Sequence, residues 1–421
     1  MLASAKVPKR SALPERSPEL QQMTLEAYYG GRNEVSRTGY IGAKTFAYDI
    51  NSAYPAAIKK LPCALHTRWC EMSPPEVQRL QRDLKARRLV RDLFIADLAF
   101  EQSDDSIWGA FPFRTKDGFI RYPLNGSGVY WSPEVVAAAN AGVKLQLHKG
   151  YIAQTFCDCR TFDWIEPLYR YRLDVGDDEK GYPIKLGLAA LNGKFSQRVG
   201  AAPWHDRIAS GLLMSIVRAQ VFEAAASVPW DVMMIATDAI YSTRPLPRLQ
   251  RTDNLGDWKL KELPDFFVVQ SGFYWSPHNV EAIFKSRGIR RSIVAKHAPD
   301  FIREWKRFIN EFTEDDKIFA SSAPVVPIPV DIFIGLRLAL ELRKRDVAIM
   351  RGSWQTELWR QSFRWDKQRE GARRIGDFLV HFPIKGKTSD RSTCYDPELL
   401  TEFTGQALLL SAMPDFVKVV E

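Results

Sequence analysis

Apolar residues come in short blocks over the first three hundred positions and at helical spacing afterwards. FAYDI (residues 46–50), LFIADLAF (93–100) and VMMIAT (232–237) are compact apolar runs that predict strands. Between the first two lies PPEVQRLQRDLKARRLVRD, whose periodicity and charge predict a basic helix. GFIRYPLNGSGVYW predicts short strands and turns, and SPEVVAAANAG a helix with Ser132 at the N-cap and Pro133 at the first helical position. SGLLMSIVRAQVFEAAA predicts a further helix that leads into VMMIAT, a tight turn and a return strand. FIREWKRFINEF and ELWRQSFRWDKQREGARR make the last 130 residues mostly helical and basic. No internal repeat is visible. The order predicts a mixed α/β (α+β) chain with strands early and central and helices late.

Composition narrows the partners. The chain has 421 residues, 45% of them hydrophobic, enough for one large core or two to three smaller ones. Its formal net charge of +9 favours a polyanionic partner, nucleic acid first. Five cysteines (Cys63, Cys70, Cys157, Cys159, Cys394) make no disulfide framework and suggest a reducing compartment. Cys157 and Cys159 form a C-x-C, but no second Cys/His pair lies at ligand spacing, so a structural zinc is not expected. Residues 1–20 are rich in Pro, Ser, Lys and Arg, carry no signal-peptide apolar stretch and predict a flexible basic tail. No run approaches the roughly 18 apolar residues of a membrane span, and the expectation is a cytoplasmic protein without membrane contact.

Three short stretches carry candidate chemistry. In FAYDINSAYPAAI the apolar run ends at Asp49, and in VMMIATDAIYST a second carboxylate, Asp238, sits at the tip of a predicted hairpin. If the two strands lie side by side, their oxygens can converge on divalent cations of the Mg²⁺ type, and a pair of such ions suits phosphoryl transfer. Taken singly, each reads equally as a solvated turn aspartate. In KLGLAALNGKF, Lys185, Ala189 and Asn192 share one helical face, which suits a phosphate-binding lysine beside small side chains.

Together, in this order, the stretches resemble motifs A, B and C of the B-family DNA polymerases, most closely the small phage, plasmid and organellar branch. YDINSAYP resembles that family's D-x-x-S-L-Y-P, KLGLAALNGKF its K-x-x-x-N-S-x-Y-G-K-F, and ATDAIYST its D-T-D-S. YYGG (28–31), LGDWKLKE and FKSRGI resemble flanking elements, and RGSWQTELWRQSFRWDKQR is a weaker echo near the thumb. The resemblance implies a right-hand polymerase transferring dNTPs to a primer 3′-hydroxyl on a DNA primer-template. Asp49 and Asp238 would be catalytic and would hold two Mg²⁺ ions, with Mn²⁺ as a substitute and Ile50 as a further ligand. Ile50, Asn51, Ser52 and Ala53 would cradle the triphosphate, and Tyr54 would lie under the sugar, where its ring leaves no room for a 2′-hydroxyl. Lys185 and Arg172 would bind the phosphates and Asn192 would face the incoming nucleotide. Tyr28, Gly30 and Gly31 would guide the template, while Tyr274 and Lys285 would touch the primer strand.

The implied organisation is a tail (1–20), palm with motif A (21–100), an insertion (101–160), fingers with motif B (161–200), palm with motif C (201–290) and a helical thumb-like region (291–421). Asp49 is the first aspartate in the chain, so no D-x-E proofreading motif precedes it, and a separate exonuclease or other replication proteins are expected as partners. The family's pattern is broken at Ala236, at Ala189-Ala190, at Asn192 and at Gly272, which replaces the lysine of K-x-Y. These departures keep open a catalytically silent, DNA-binding polymerase-like subunit, and a basic nucleic-acid scaffold with two mere turn aspartates remains the plainer reading.

Overall fold

The structure, a computed structural model, describes residues 2–176, 179–198, 200–246, 249–286, 291–312, 325–334, 353–362, 368–387 and 390–394. After a single 3-10 turn (Arg10–Ala12) come α1 (Pro18–Glu26), β1 (Arg32–Val35), β2 (Arg37–Ile41), β3 (Thr45–Ile50) and α2 (Ala53–Lys59). The chain continues through β4 (Thr67–Glu71), α3 (Pro74–Lys85), β5 (Phe94–Glu101), β6 (Phe113–Arg114), β7 (Ile120–Arg121) and β8 (Asn125–Trp131). Next are α4 (Ser132–Asn140), β9 (Lys144–Thr155), α5 (Ile165–Val175), α6 (Gly181–Ser196) and α7 (Arg207–Ser227). The strands β10 (Val232–Thr237), β11 (Ala239–Ser242), β12 (Trp258–Leu263), β13 (Phe266–Gln270), β14 (Phe273–Trp275) and β15 (Phe284–Ser286) follow. Last are α8 (Arg291–Glu311), β16 (Val325–Ile334), β17 (Ser353–Ser362), β18 (Arg369–Ile375) and β19 (Phe378–Pro383). The expected mixed α/β class is the one observed.

Three sheets organise the molecule. The first, in the order β1-β10-β11-β3-β12, is antiparallel throughout. The period of two divides β3 between two interiors. Phe46, Tyr48 and Ile50 join the main core with Leu213, Val217 and Phe222 of α7, whereas Ala47 faces a second cluster with Tyr241, Phe266 and Tyr274. Asp49 therefore shares the face of Ala47, directed toward the second sheet, β15-β14-β13-β2-β19-β18. The third sheet, β4-β9-β5-β8, packs on α3 and α4. Helix α7 is long and apolar enough to cross a membrane, but it is buried and packs on α2, α4 and β10 as a core helix.

The structure corrects four expectations. The first twenty residues are no loose tail: Leu2 and Val7 are buried in the main core, Arg10 N–H donates to Pro203 O, and Arg16 pairs with Asp206 at 2.7 Å. Too few apolar residues mark this docking for periodicity to reveal it. Residues 101–160 do not form a separate insertion, because β4 and β5, from residues 67–101, complete the same sheet as β8 and β9. The region after 291 is not mostly helical among the described residues, since α8 is followed by the hairpins β16-β17 and β18-β19. Alternation in VVPIPVDIFI and cross-strand pairing outweigh the helical propensity of the charged stretch that becomes β17 and β18. Residues 313–324, 335–352, 363–367, 388–389 and 395–421 of that region, and 287–289 of FKSRGI, lie outside the described residues. Ser132 is the first residue of α4 instead of its cap, and its hydroxyl accepts from Phe94 N–H at 3.1 Å.

Helix α8 docks where β2 lacks a side chain. Gly39 has φ +112°, and a Cβ there would overlap the Trp305 indole, which donates to Asp377 O at 2.7 Å. Beneath it, buried His381 on β19 lies with Nε2 2.8 Å from Thr38 Oγ1, and burial, reinforced by Arg369, pushes its pKa down to about 3. The folded state thus resists a proton that the unfolded chain accepts near 6.5. Stability from this group should be complete above pH 6.5 and decline as pH falls toward 3, by about 1.4 kcal/mol per unit at most. Urea midpoints between pH 7.5 and 5 measure it, and His381→Gln should flatten that part of the pH dependence.

Candidate active site

The register of the first sheet builds the site. Ala239 of β11 pairs with Asp49 of β3, and Asp238 is the residue immediately before Ala239 in the β10-β11 turn. Ile50 N–H donates to Asp238 O at 3.0 Å, so the two aspartates stand at adjoining strand ends. Thr237 takes φ +63°, a left-handed conformation unusual for a β-branched residue, and Asp238 N–H returns to Ala236 O at 2.9 Å. This tight turn presents Asp238 at the tip, as the sequence suggests.

Electrostatics mark the pair. Asp49 is exposed at the mouth of the site, yet the protein around it withdraws hydration, and with Asp238 repelling it the carboxyl is pushed up to about 6. Asp238 is also raised, by loss of hydration. Lys285 of β15 opposes both shifts, and Lys259, paired with Asp49 across β12-β3, opposes the first. Two close carboxylates of raised pKa form a site that favours cations. Its hard oxygen donors suit Mg²⁺ or Mn²⁺, with the adjoining Ile50 carbonyl as a further oxygen.

Tyr54 stands on the first turn of α2, and Ser52 in the left-handed conformation (φ +47°) turns the chain from β3 into that helix. Burial, then Asp238, pushes the phenol up to about 12. A Cβ on Gly31 would fall 2.7 Å from Thr237 Cγ2 and 3.0 Å from Tyr54 Oη, so the glycine lets both approach β1. Asp49, Ile50, Tyr54, Asp238, Gly31 and Lys285 therefore share one locality.

Other expected residues are placed less simply. Ile50 and Asn51 use their N–H groups on Asp238 O and Asp257 O, and Asn51 Nδ2 donates to Thr252 O at 2.7 Å. Of the expected Ile50–Ala53 cradle, the first two N–H groups are thus engaged within the fold. Lys185, exposed, and Arg172, half-buried, stand on the α5-α6 hairpin, which packs on α2. Asn192 turns toward α7, its Nδ2 3.6 Å from Met214 Sδ. Tyr274, expected at the primer strand, is buried, with its hydroxyl 3.4 Å from Tyr241 Oη beneath the carboxylates. Tyr28 reaches Ser196 Oγ at 3.2 Å, tying its loop to the end of α6, while Gly30 is exposed.

Sequence reading missed the residues that hold this loop. Arg218 is fully buried on α7, donates to both oxygens of Glu134 at 2.8 Å, and its Nη1 donates to Tyr29 O at 2.6 Å and Gly30 O at 2.9 Å. Arg114 Nη2 donates to Tyr28 O at 2.9 Å. Arg32 and Arg369 both pair with buried Glu34, at 2.5 and 2.7 Å, and Arg32 lies 3.9 Å from the Tyr122 ring centre. A lone arginine within the apolar stretch LLMSIVRAQVF was the available signal, since a charge there requires a partner.

A family of DNA polymerases, type B, organellar and viral, matches residues 5–201. No curated protein matches the chain. Among solved structures, Phi29 DNA polymerase in an orthorhombic crystal form is 15% identical, with 65% of this chain and 52% of that chain covered and a TM-score of 0.48. Phi29 DNA polymerase complexed with primer-template DNA and incoming nucleotide substrates is 16% identical, with 78% and 62% covered and a TM-score of 0.49. The family B DNA polymerase of the hyperthermophilic archaeon Pyrobaculum calidifontis is 12% identical, with 97% and 49% covered and a TM-score of 0.33. The chain spans about half the length of the first of these. The resemblance read from its motifs thus holds over residues 5–201.

Removing the arginine that holds the loop should be costly. Arg218→Met strands Glu134 without its partner and should destabilise by about 3–5 kcal/mol, whereas Arg218→Met with Glu134→Leu should recover most of that. Chemical denaturation of the two variants decides.

Proposed function

We propose that this chain, similar to the organellar and viral type B DNA polymerases, is a template-directed DNA polymerase. The supporting observation is the β3-β11 register, which sets Asp49 beside Asp238 at one sheet end. The two carboxylates and the Ile50 carbonyl would hold two Mg²⁺ ions, which when bound activate the attacking hydroxyl and neutralise the leaving pyrophosphate. The chain's own residues then position the reactants. Tyr54 lies under the deoxyribose and excludes a 2′-hydroxyl. Ser52 and Ala53 face the triphosphate, and Lys185 and Arg172 bring positive charge from the α5-α6 hairpin, the fingers of this reading. Tyr28, Gly30 and Gly31, held by Arg218 and Arg114, guide the template strand, and Lys285 meets the primer strand near the carboxylates. Tyr274 supports the floor from below.

A second reading, a silent DNA-binding subunit of a replication complex, is favoured by Asn192, which turns toward Met214, and by Ala236, which supplies no carboxylate behind the site. Primer extension at high Mg²⁺ or Mn²⁺ and nucleotide separates the two. Activity there supports the polymerase; no extension by the natural chain, with extension restored in Ala236→Asp, Asn192→Tyr, supports the silent subunit.

If the main reading holds, Asp49→Asn and Asp238→Asn should each lose incorporation by about 10³-fold or more, the scale of several kcal/mol of metal stabilisation. Primer-template binding, carried by Lys and Arg on phosphates, should stay within a few fold in an anisotropy titration. Tyr54→Val should shift a competition between ribo- and deoxyribonucleotides toward the ribonucleotide, with single-nucleotide incorporation as the readout.

A further inference from the structure

We propose that Cys63, His66, Cys157 and Cys159 form a structural Zn²⁺ site. The C-x-C at 157 lies far along the chain from the C-x-x-H of Cys63 and His66, and the fold brings the two together. His66 immediately precedes β4 and Cys157 follows β9 by one residue, and these strands pair with Thr67 opposite Thr155. The ladder continues past its end, where Phe156 N–H donates to His66 O at 3.2 Å, so both irregular loops leave the sheet side by side.

The donor atoms converge as a zinc site requires. Three sulfurs and one imidazole nitrogen lie within 4.8 Å of one another, and His66 Nδ1 is 3.4 Å from the sulfurs of both Cys63 and Cys159. Tetrahedral zinc, with bonds of about 2.3 Å to sulfur and 2.0–2.1 Å to nitrogen, separates its ligands by about 3.5–3.8 Å. Small side-chain adjustments therefore close the shell. All five cysteines are free thiols, and four protein ligands leave no open position, which makes the site structural in kind. Soft thiolates with one imidazole favour zinc over the oxygen-seeking Mg²⁺.

The placement gives such a site a task. Cys63 follows the end of α2 closely, and Cys159 lies on the loop that leads to α5. The same two helices are linked at the surface by Lys59 Nζ and Glu166 Oε2 at 3.1 Å. A metal there would pin α2, with Tyr54, against α5, with Arg172, through loops that have no regular structure of their own.

The test uses the full untagged chain, purified under reducing conditions. Elemental analysis should find one zinc per chain, and Co²⁺ exchanged into it should give thiolate-to-cobalt charge-transfer absorption with tetrahedral visible bands. Cys157→Ser with Cys159→Ser should lose both, His66→Cys should retain them, and stripping zinc with a chelator should lower the melting temperature. Should the double variant fail to fold, the Co²⁺ spectrum of the natural chain still decides. Folded natural protein that holds no zinc and gives no cobalt spectrum overturns the proposal, as does thiol counting that finds a disulfide among Cys63, Cys157 and Cys159. None of these readouts depends on polymerase activity.

Discussion

Two like charges held at neighbouring strand ends are the constraint around which this molecule is arranged. Nothing in the sheet itself favours Asp49 beside Asp238: both carboxyls are raised in pKa, and Asp49, the more strongly affected, reaches about 6. The juxtaposition persists because backbone pairing dictates it. Asp49 lies in register with Ala239, and Ile50 N–H closes onto Asp238 O. Lys259 of the neighbouring strand β12 and Lys285 of β15 in the second sheet offset part of the repulsion. Such a pair costs stability when bare, and a bound cation would offset that cost.

Around that constraint the protein uses buried charge to position backbone. Arg218 with Glu134, and Glu34 with Arg32 and Arg369, lie in the interior, where desolvation absorbs much of what the pairing contributes. Their effect is geometric. Arg218 grips the carbonyls of Tyr29 and Gly30, Arg114 that of Tyr28, and the strand that follows delivers Gly31 against Tyr54 and Thr237. Glu34, gripped by Arg369, ties the first sheet to β18, so the late hairpin is part of the same support.

Where sequence reading erred, the pattern lacked a local signal. The resemblance put Tyr274 against the primer strand, but one tyrosine in a short strand carries no sign of which face it takes, and packing against Tyr241 and Phe266 buries it. The stretch after residue 291 has enough Arg, Lys, Glu and Leu for helices, yet β17 pairs with β16, which lies outside any local window, and β18 is held as a strand by its hairpin with β19. The amino-terminal segment docks through Leu2 and Val7, too sparse an apolar pattern to have a period.

What the sequence by itself determined are the features with a short range: the strand ending at Asp49, the hairpin displaying Asp238, the helix of Lys185, and the departures at Ala236 and Asn192. Apolar runs, turn residues and motif spacing are written within a dozen positions, so they can be read without a fold. Tertiary structure alone decided that the two aspartates are neighbours, that Arg218 and Glu134 meet, and that Cys63 and His66 join Cys157 and Cys159. Each of these depends on strand register or helix packing between segments far apart in the chain, and no local propensity encodes which distant partner a strand will take.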